Sequence, residues 1–304
     1  MNGNNEFLTT LPPIQLLSDQ LYNSKRIRVS MLRLDLVHPV LSGNKIFKLH
    51  YFLKDAKTSI EKKVITFGGA YSNHLAAAAF ACGEENLEAI GIVRGEKPKT
   101  LSHTLKYCLQ HGMKLEFISR DAFKKIHSVE FARNLISTHG FHTLIPEGGF
   151  SIAGAKGAAH ILELSDLTAF THICCPVGTA TTLAGLIYNC KQETIIQGFS
   201  VLKNMSDIEQ RLKILEIPSG KKYSIVHDYH FGGYAKKSGE LINFINLFYK
   251  GNKIPLDFVY TGKMMFGVND HARKNLYPAG ANILCIHTGG LQGNHSLPAE
   301  TFIF

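Results

Sequence analysis

The sequence predicts an α/β protein built on mostly parallel sheets with helices on both faces. Three observations carry this expectation. Short β-branched runs alternate with helix-like segments along most of the chain, which is the rhythm of successive βα units. Glycine-rich stretches follow directly on strand candidates, where open parallel sheets place their ligand loops. The chain has 304 residues, 45% of them apolar and 19% charged, an ordinary globular composition with length enough for two domains.

In chain order, the first helix is expected over 46–56. There Ile46, Leu49 and Leu53 fall on one face. A β-branched run at 63–67 reads as a strand and leads through two glycines into an alanine-rich helix at 73–84. Strands at 87–93, 114–118 and 143–145 alternate with helices at 100–110 and 122–138. A helix at 153–165 then leads to strands at 171–175, 194–199 and 223–226, with helices at 182–191 and 207–214 between them. Helices at 238–249 and 263–274 precede a last strand at 282–286. Repeats and low-complexity linkers are absent, so residue patterns alone do not mark a domain boundary. Two glycine-rich stretches, 146–157 and 178–185, read as chain crossings or ligand loops.

Apolar runs fall short of the ~20 residues a membrane span needs. The start MNGNNEFLTTLPPIQ lacks the pattern of a secretory signal. The six cysteines form no CxxC pair, and most lie in apolar stretches. They read as reduced core residues, and a cytoplasmic location is expected. No metal site is expected, because the fifteen histidines never join cysteines at ligand spacing. The net charge of +9 raises nucleic-acid binding as one class. The lysines are spread as short pairs without a long basic arm, so steering of anionic ligands is the preferred reading.

Four segments carry chemistry. In Ser42-Gly43-Asn44-Lys45, Gly43 permits a tight turn, Ser42 or Asn44 can cap a helix, and Lys45 falls in its first turn. The helix dipole disfavours a cation there, which would keep the amine neutral and nucleophilic. The alternative is a capped surface helix with an exposed lysine. In Gly68-Gly69-Ala70-Tyr71-Ser72-Asn73-His74, a strand runs through glycines into a helix start, a setting for a carboxylate or phosphate. The alternative is that Ser72 simply caps the helix; His74 reads as a possible base or a structural histidine. Gly178-Thr179-Ala180-Thr181-Thr182-Leu183-Ala184-Gly185 combines hydroxyls and small residues at a helix start, an anion cradle that is neither a Walker loop nor GxGxxG. The fourth group, with Tyr234, Tyr260 and Thr288 beside glycines, could cover a flat cofactor and exchange protons, or could be core aromatics near turns.

Taken in order, these segments resemble the 1-aminocyclopropane-1-carboxylate (ACC) deaminase / D-cysteine desulfhydrase family. Its members are pyridoxal phosphate (PLP) enzymes of fold type II, the tryptophan synthase β-like fold. The family pattern GGNKxRKLE meets SGNKIFKLH here, GGxxSNH meets GGAYSNH, and the phosphate loop meets GTATTLAG. The Tyr-Gly region meets FGGYA, VYxGKxMxG meets VYTGKMMFG, and HTGG meets HTGG. The likeness runs from about Leu34 to Gly290.

The resemblance implies two domains. Residues 1–50 with 151–304 would form the larger, cofactor-anchoring domain and 51–150 the smaller, with the cofactor cleft between them. It implies that Lys45 carries pyridoxal 5'-phosphate as a Schiff base and that Asn73 faces the ring hydroxyl. Gly178, Thr179, Ala180, Thr181 and Thr182 would hold the phosphate, and Thr288 would reach the pyridine nitrogen. Ser72 would bind the substrate carboxylate, with Tyr260 against the ring and Tyr234 nearby to handle protons. A homodimer is implied as well. Three positions depart from the family: Phe47 stands for its arginine, His50 for its glutamate and Tyr71 for a common glutamine.

The deaminase branch carries Tyr-Glu where this chain has Tyr260-Thr261. That difference, with Thr288, points to the desulfhydrase branch, so the expected reaction is α,β-elimination from D-cysteine to pyruvate, ammonia and hydrogen sulfide. ACC deamination is the first alternative, and a PLP-binding protein without turnover is the second.

Overall fold

The computed structural model describes residues 10–38 and 41–304. Among the described residues, ten strands form two sheets. In chain order the elements are β1 (Ile14–Leu16), α1 (Gln20–Ser24), β2 (Arg28–Leu32), α2 (Lys45–Thr58), β3 (Lys63–Gly68), α3 (Asn73–Glu84), β4 (Glu88–Arg94), α4 (His103–Gln110), β5 (Lys114–Ile118), α5 (Arg120–Phe123), α6 (Val129–His139) and β6 (Thr143–Ile145). Then come α7 (Ile152–Ala159), β7 (His172–Val177), α8 (Thr181–Asn189), β8 (Ile195–Ser200), α9 (Ile208–Ile214), β9 (Tyr223–Val226), α10 (Gly239–Asn252), α11 (Thr261–Arg273) and β10 (Asn282–Ile286).

The larger sheet runs β1-β2-β10-β7-β8-β9 and the smaller β5-β4-β3-β6. Every neighbouring pair is parallel except β1 on β2. Parallel strands covered on both faces read as apolar runs, and β7, fully buried along its length, is one.

The strand order decides where a ligand can sit. In the smaller sheet the chain moves from β3 outward to β4 and β5, then returns to the other side of β3 as β6. In the larger sheet it moves from β7 to β8 and β9, then returns to the other side of β7 as β10. The loops after β3 and β7 therefore lie at switch points, where neighbouring connections part and leave a crevice.

Helix α2 packs on α7, α3 and β6, and α7 packs in turn on α8. Gly157 makes that close approach possible: a Cβ there would lie 2.1 Å from the Phe47 carbonyl oxygen. Phe47 itself is 1% exposed, so it is a core residue of α2.

Several expected elements differ. Strands β1 and β2 were not expected. The first is three residues behind a proline pair, and the second is held in the sheet by β10, about 250 residues away in sequence, with the short β1 on its other edge. The helix expected over 122–138 is two, because the Ser128 hydroxyl accepts from the Phe131 N–H and starts a new helix. The helix expected from 100 begins at His103, where Ser102 caps it in the same way. The one expected over 153–165 turns to 3₁₀ geometry after Ala159. Among the described residues no helix is long and apolar enough to cross a membrane.

Candidate active site

One cavity of about 430 Å³ opens between the ends of the two sheets, within the range of small-molecule sites. Its wall carries all the candidate residues: Lys45, Ser72, Asn73, Gly178, Thr179, Ala180, Thr181, Thr182, Tyr234, Tyr260 and Thr288. They come from loops far apart in sequence, which the two switch points bring to one place.

Lys45 is the first residue of α2 and is buried. Its Nζ donates to Asn44 Oδ1 and to the Thr288 carbonyl, each at 3.2 Å. Burial pulls its pKa down from 10.5 to about 8, against an opposing pull from Asp257. The sequence points to the helix dipole as the cause; the leading cause in the structure is burial. Asn44 stands at the N-cap without a side-chain cap bond. Its amide instead donates to Thr182 Oγ1 at 2.7 Å, tying the lysine to the 178–182 loop. Gly43 has φ +77, and a Cβ there would lie 2.0 Å from the Thr288 oxygen; only glycine lets the two loops meet beside Lys45.

The loop after β7 enters α8 through Ala180 in the left-handed region, φ 67. Such a conformation costs a non-glycine residue about 1 kcal/mol or more and clusters at ligand sites. Among the described residues, the backbone N–H groups from Thr179 to Leu183 have no protein acceptor. The Thr179 and Thr181 hydroxyls share a hydrogen bond of 2.9 Å. Five open N–H groups at a helix start make an anion cradle.

After β3, the Ser72 hydroxyl accepts from the Leu75 N–H at 3.2 Å. The serine therefore caps α3, as the plainer reading held, while still lining the cavity. The N–H groups of Asn73 and His74 lack a protein acceptor among the described residues. The Asn73 amide donates to the Gly290 carbonyl at 3.4 Å, and its Oδ1 is buried without a partner. His74 is not poised as a base. Its Nε2 lies 2.9 Å from Thr66 Oγ1, which itself donates to the Ile145 carbonyl, so Nε2 carries the proton. Burial and the lysines Lys48 and Lys45 lower its pKa to about 3.

Tyr260 rests on the anion loop: its Cε1 lies 3.3 Å from a Cβ built on Gly178. Its ring meets that of Tyr234 edge-on, with the ring centres 6.2 Å apart. Burial pushes both phenols up, so both hold their protons.

Several supporting residues were not anticipated. The buried Asp257 carboxylate accepts from the N–H groups of Val259, Tyr260 and Thr261 and from the Thr261 hydroxyl, fixing the turn that presents Tyr260. An aspartate four residues before a threonine at a helix start was the available signal. Lys263 donates to the His230 and Gly233 carbonyls and anchors the Tyr234 loop. Lys48 donates to the Gly148 carbonyl at 2.6 Å, and burial lowers its pKa to about 7. Thr261 is fully buried and absent from the cavity wall, so the Tyr-Thr versus Tyr-Glu difference does not read the pocket directly in this chain.

A lysine amine kept partly neutral, an open anion cradle and a flat aromatic wall, set between two parallel sheets, define a PLP-type enzyme site. The comparisons agree. Residues 17–289 match the family described as "Pyridoxal-phosphate dependent enzyme". A Thermotoga maritima protein named "Putative 1-aminocyclopropane-1-carboxylate deaminase" is 31% identical over 92% of this chain and 94% of its own length. An Arabidopsis thaliana protein named "Bifunctional D-cysteine desulfhydrase/1-aminocyclopropane-1-carboxylate deaminase, mitochondrial" is 28% identical over 83% of this chain and 70% of its length. The crystal structure of an ACC deaminase homologue superimposes with a TM-score of 0.77 at 29% identity, covering 95% of this chain and 92% of that one. The chain belongs to the PLP-dependent enzymes of fold type II, in the ACC deaminase / D-cysteine desulfhydrase family. These relatives favour the deaminase alternative over the D-cysteine reading expected from the sequence.

The residues present fit the cofactor. The orphaned Asn73 Oδ1 is an acceptor of the kind a ring hydroxyl needs, and the open N–H groups after β7 suit a phosphate.

Proposed function

We propose that this enzyme deaminates a small amino acid, with ACC as the first substrate reading. The observation that carries it is Lys45: a buried amine with a lowered pKa, on the same wall as the anion cradle. PLP, when bound, supplies an electron sink for bonds at an amino acid's α-carbon.

In this proposal Lys45 holds the cofactor and afterwards carries protons on Nζ. The N–H groups and hydroxyls of 178–182 would hold the phosphate, the unpartnered Asn73 Oδ1 would accept from the ring hydroxyl, and Thr288 on the cavity wall would serve the pyridine nitrogen. Ser72 and the N–H groups of Asn73 and His74 receive the substrate carboxylate. ACC has no α-hydrogen, so protons must be exchanged at its ring carbons; Tyr260 and Tyr234, which stay protonated, are placed for that. Residues 1–50 with 151–304 are proposed as the anchoring domain and 51–150 as the smaller one. The separate sheets support that division.

D-cysteine elimination is the second reading. Thr288, an uncharged residue on the cavity wall, favours it, because a neutral hydroxyl limits protonation of the pyridine nitrogen. The test is a panel of ACC, D-cysteine and other D- and L-amino acids, scored for keto acid and sulfide. Release of 2-oxobutanoate from ACC outpacing sulfide from D-cysteine supports the first reading, and the reverse order supports the second. A Lys45→Ala protein should lack the visible cofactor band; an unchanged band would sink the assignment.

A further inference from the structure

The cavity wall carries one strong charge that the proposal above leaves without a task. Arg94 is the last residue of β4. Val93 pairs with Gly68, so Arg94 follows alongside Gly69, at the start of the loop leading to α3. Its Nη2 lies 3.5 Å from a Cβ built on Gly69, and its guanidinium lies 5.5 Å from the centre of the Phe123 ring. A guanidinium stacked on a ring keeps its plane fixed and its edge donors free.

The other cations of the wall are engaged. Lys48 is held by the Gly148 carbonyl, and Arg211 pairs with Asp207 at 2.8 Å. Lys45 is the cofactor lysine of the proposed function. Among the described residues Arg94 makes no ion pair, and Glu147, the one carboxylate on that wall, does not pair with it. The guanidinium field also reaches Tyr234, whose phenol it favours in the ionised form against the stronger effect of burial. An unpaired arginine beside a loop with open N–H groups is a setting for a carboxylate.

We propose, resting on the reading of this cavity as a PLP amino-acid site, that Arg94 binds the substrate's α-carboxylate together with the Asn73 and His74 N–H groups. Arg94 is exposed at the cavity mouth, so its charge also turns the carboxylate end of the zwitterionic substrate inward before the contact forms. Phe123 is its positioning residue. The amino group and side chain of the substrate are left to the rest of the wall, so the arginine selects for a free carboxylate and not for a particular side chain.

The experiment titrates cofactor-loaded protein with ACC and with its carboxamide, reading the change in the visible cofactor band. Arg94→Gln should weaken ACC binding about 10- to 100-fold, the range for a lost charged hydrogen bond, and leave the carboxamide unaffected. Arg94→Lys should fall between, and Phe123→Leu should give a smaller loss confined to ACC. Salt should weaken ACC binding in the wild type more than in Arg94→Gln. Equal losses for both ligands, or none for either, would overturn the assignment. A wild-type protein without a cofactor band is a separate failure, that of the cofactor reading, and would remove the basis for Arg94 with it.

Discussion

Replacing Lys45 by methionine tests the origin of its reactivity. The lysine is buried, and burial takes its pKa from 10.5 to about 8. A base whose folded pKa lies below its unfolded value gives up its proton more readily when folded. Between about pH 8 and 10.5 the unfolded chain holds a proton there that the folded chain does not, so wild-type stability rises with pH across that window. Below about 8 the full cost of burying the charge is present. At 1.36 kcal/mol per unit, this contribution changes by about 2 to 3 kcal/mol between pH 7 and pH 10. Methionine has no such dependence, so the stability difference between the two cofactor-free proteins should shift by about that amount, with the wild type gaining as pH rises. Loss of the bonds to Asn44 and Thr288 offsets the two proteins at every pH without altering this slope. Lys48, with a pKa near 7, is relieved of a like charge in the variant, and most of its effect falls below the window. Urea unfolding at intervals across the range measures the difference. A flat difference, within about 0.5 kcal/mol, would show that burial does not lower this pKa.

Other outcomes are equally specific. Gly43→Ala should lose about 3 kcal/mol or more in urea unfolding, from a positive φ combined with a Cβ driven into the Thr288 carbonyl; wild-type stability would show that the two loops can part. Tyr260→Phe should keep the cofactor band and lose turnover about 100-fold, and full turnover would remove this hydroxyl from proton handling. Combining Thr179→Ala with Thr181→Val should weaken cofactor retention in dialysis about tenfold. Unchanged retention would leave the backbone N–H groups to hold the phosphate alone.

Eight of the ten strands were legible because buried parallel strands are apolar runs between turn residues. β2 escaped because its parallel partner is remote: Val29 pairs with Ile283, a contact no local pattern announces. The break between α5 and α6 escaped because Ser128 reads as a tolerable helix residue until its hydroxyl is seen on the Phe131 N–H. The candidate residues were legible because turns that bare N–H groups need glycine, serine and threonine at fixed places. Arg94 was not, because an arginine at a strand end looks the same whether it faces a carboxylate, a ring or water.

Lys45 shows how the two levels divide. Sequence alone determined that a lysine would follow a glycine turn at a helix start, and that two loops in a set order would offer anion sites. Both are properties of a few adjacent residues, governed by backbone sterics and helix ends. Only the tertiary structure decided that the lysine is buried, that Asn44 turns from capping its own helix to Thr182, and that Thr261 lies beneath the wall rather than on it. Those outcomes depend on which distant strands become neighbours. Desolvation, the main cause of the lowered pKa, exists only once the two sheets have closed around the amine.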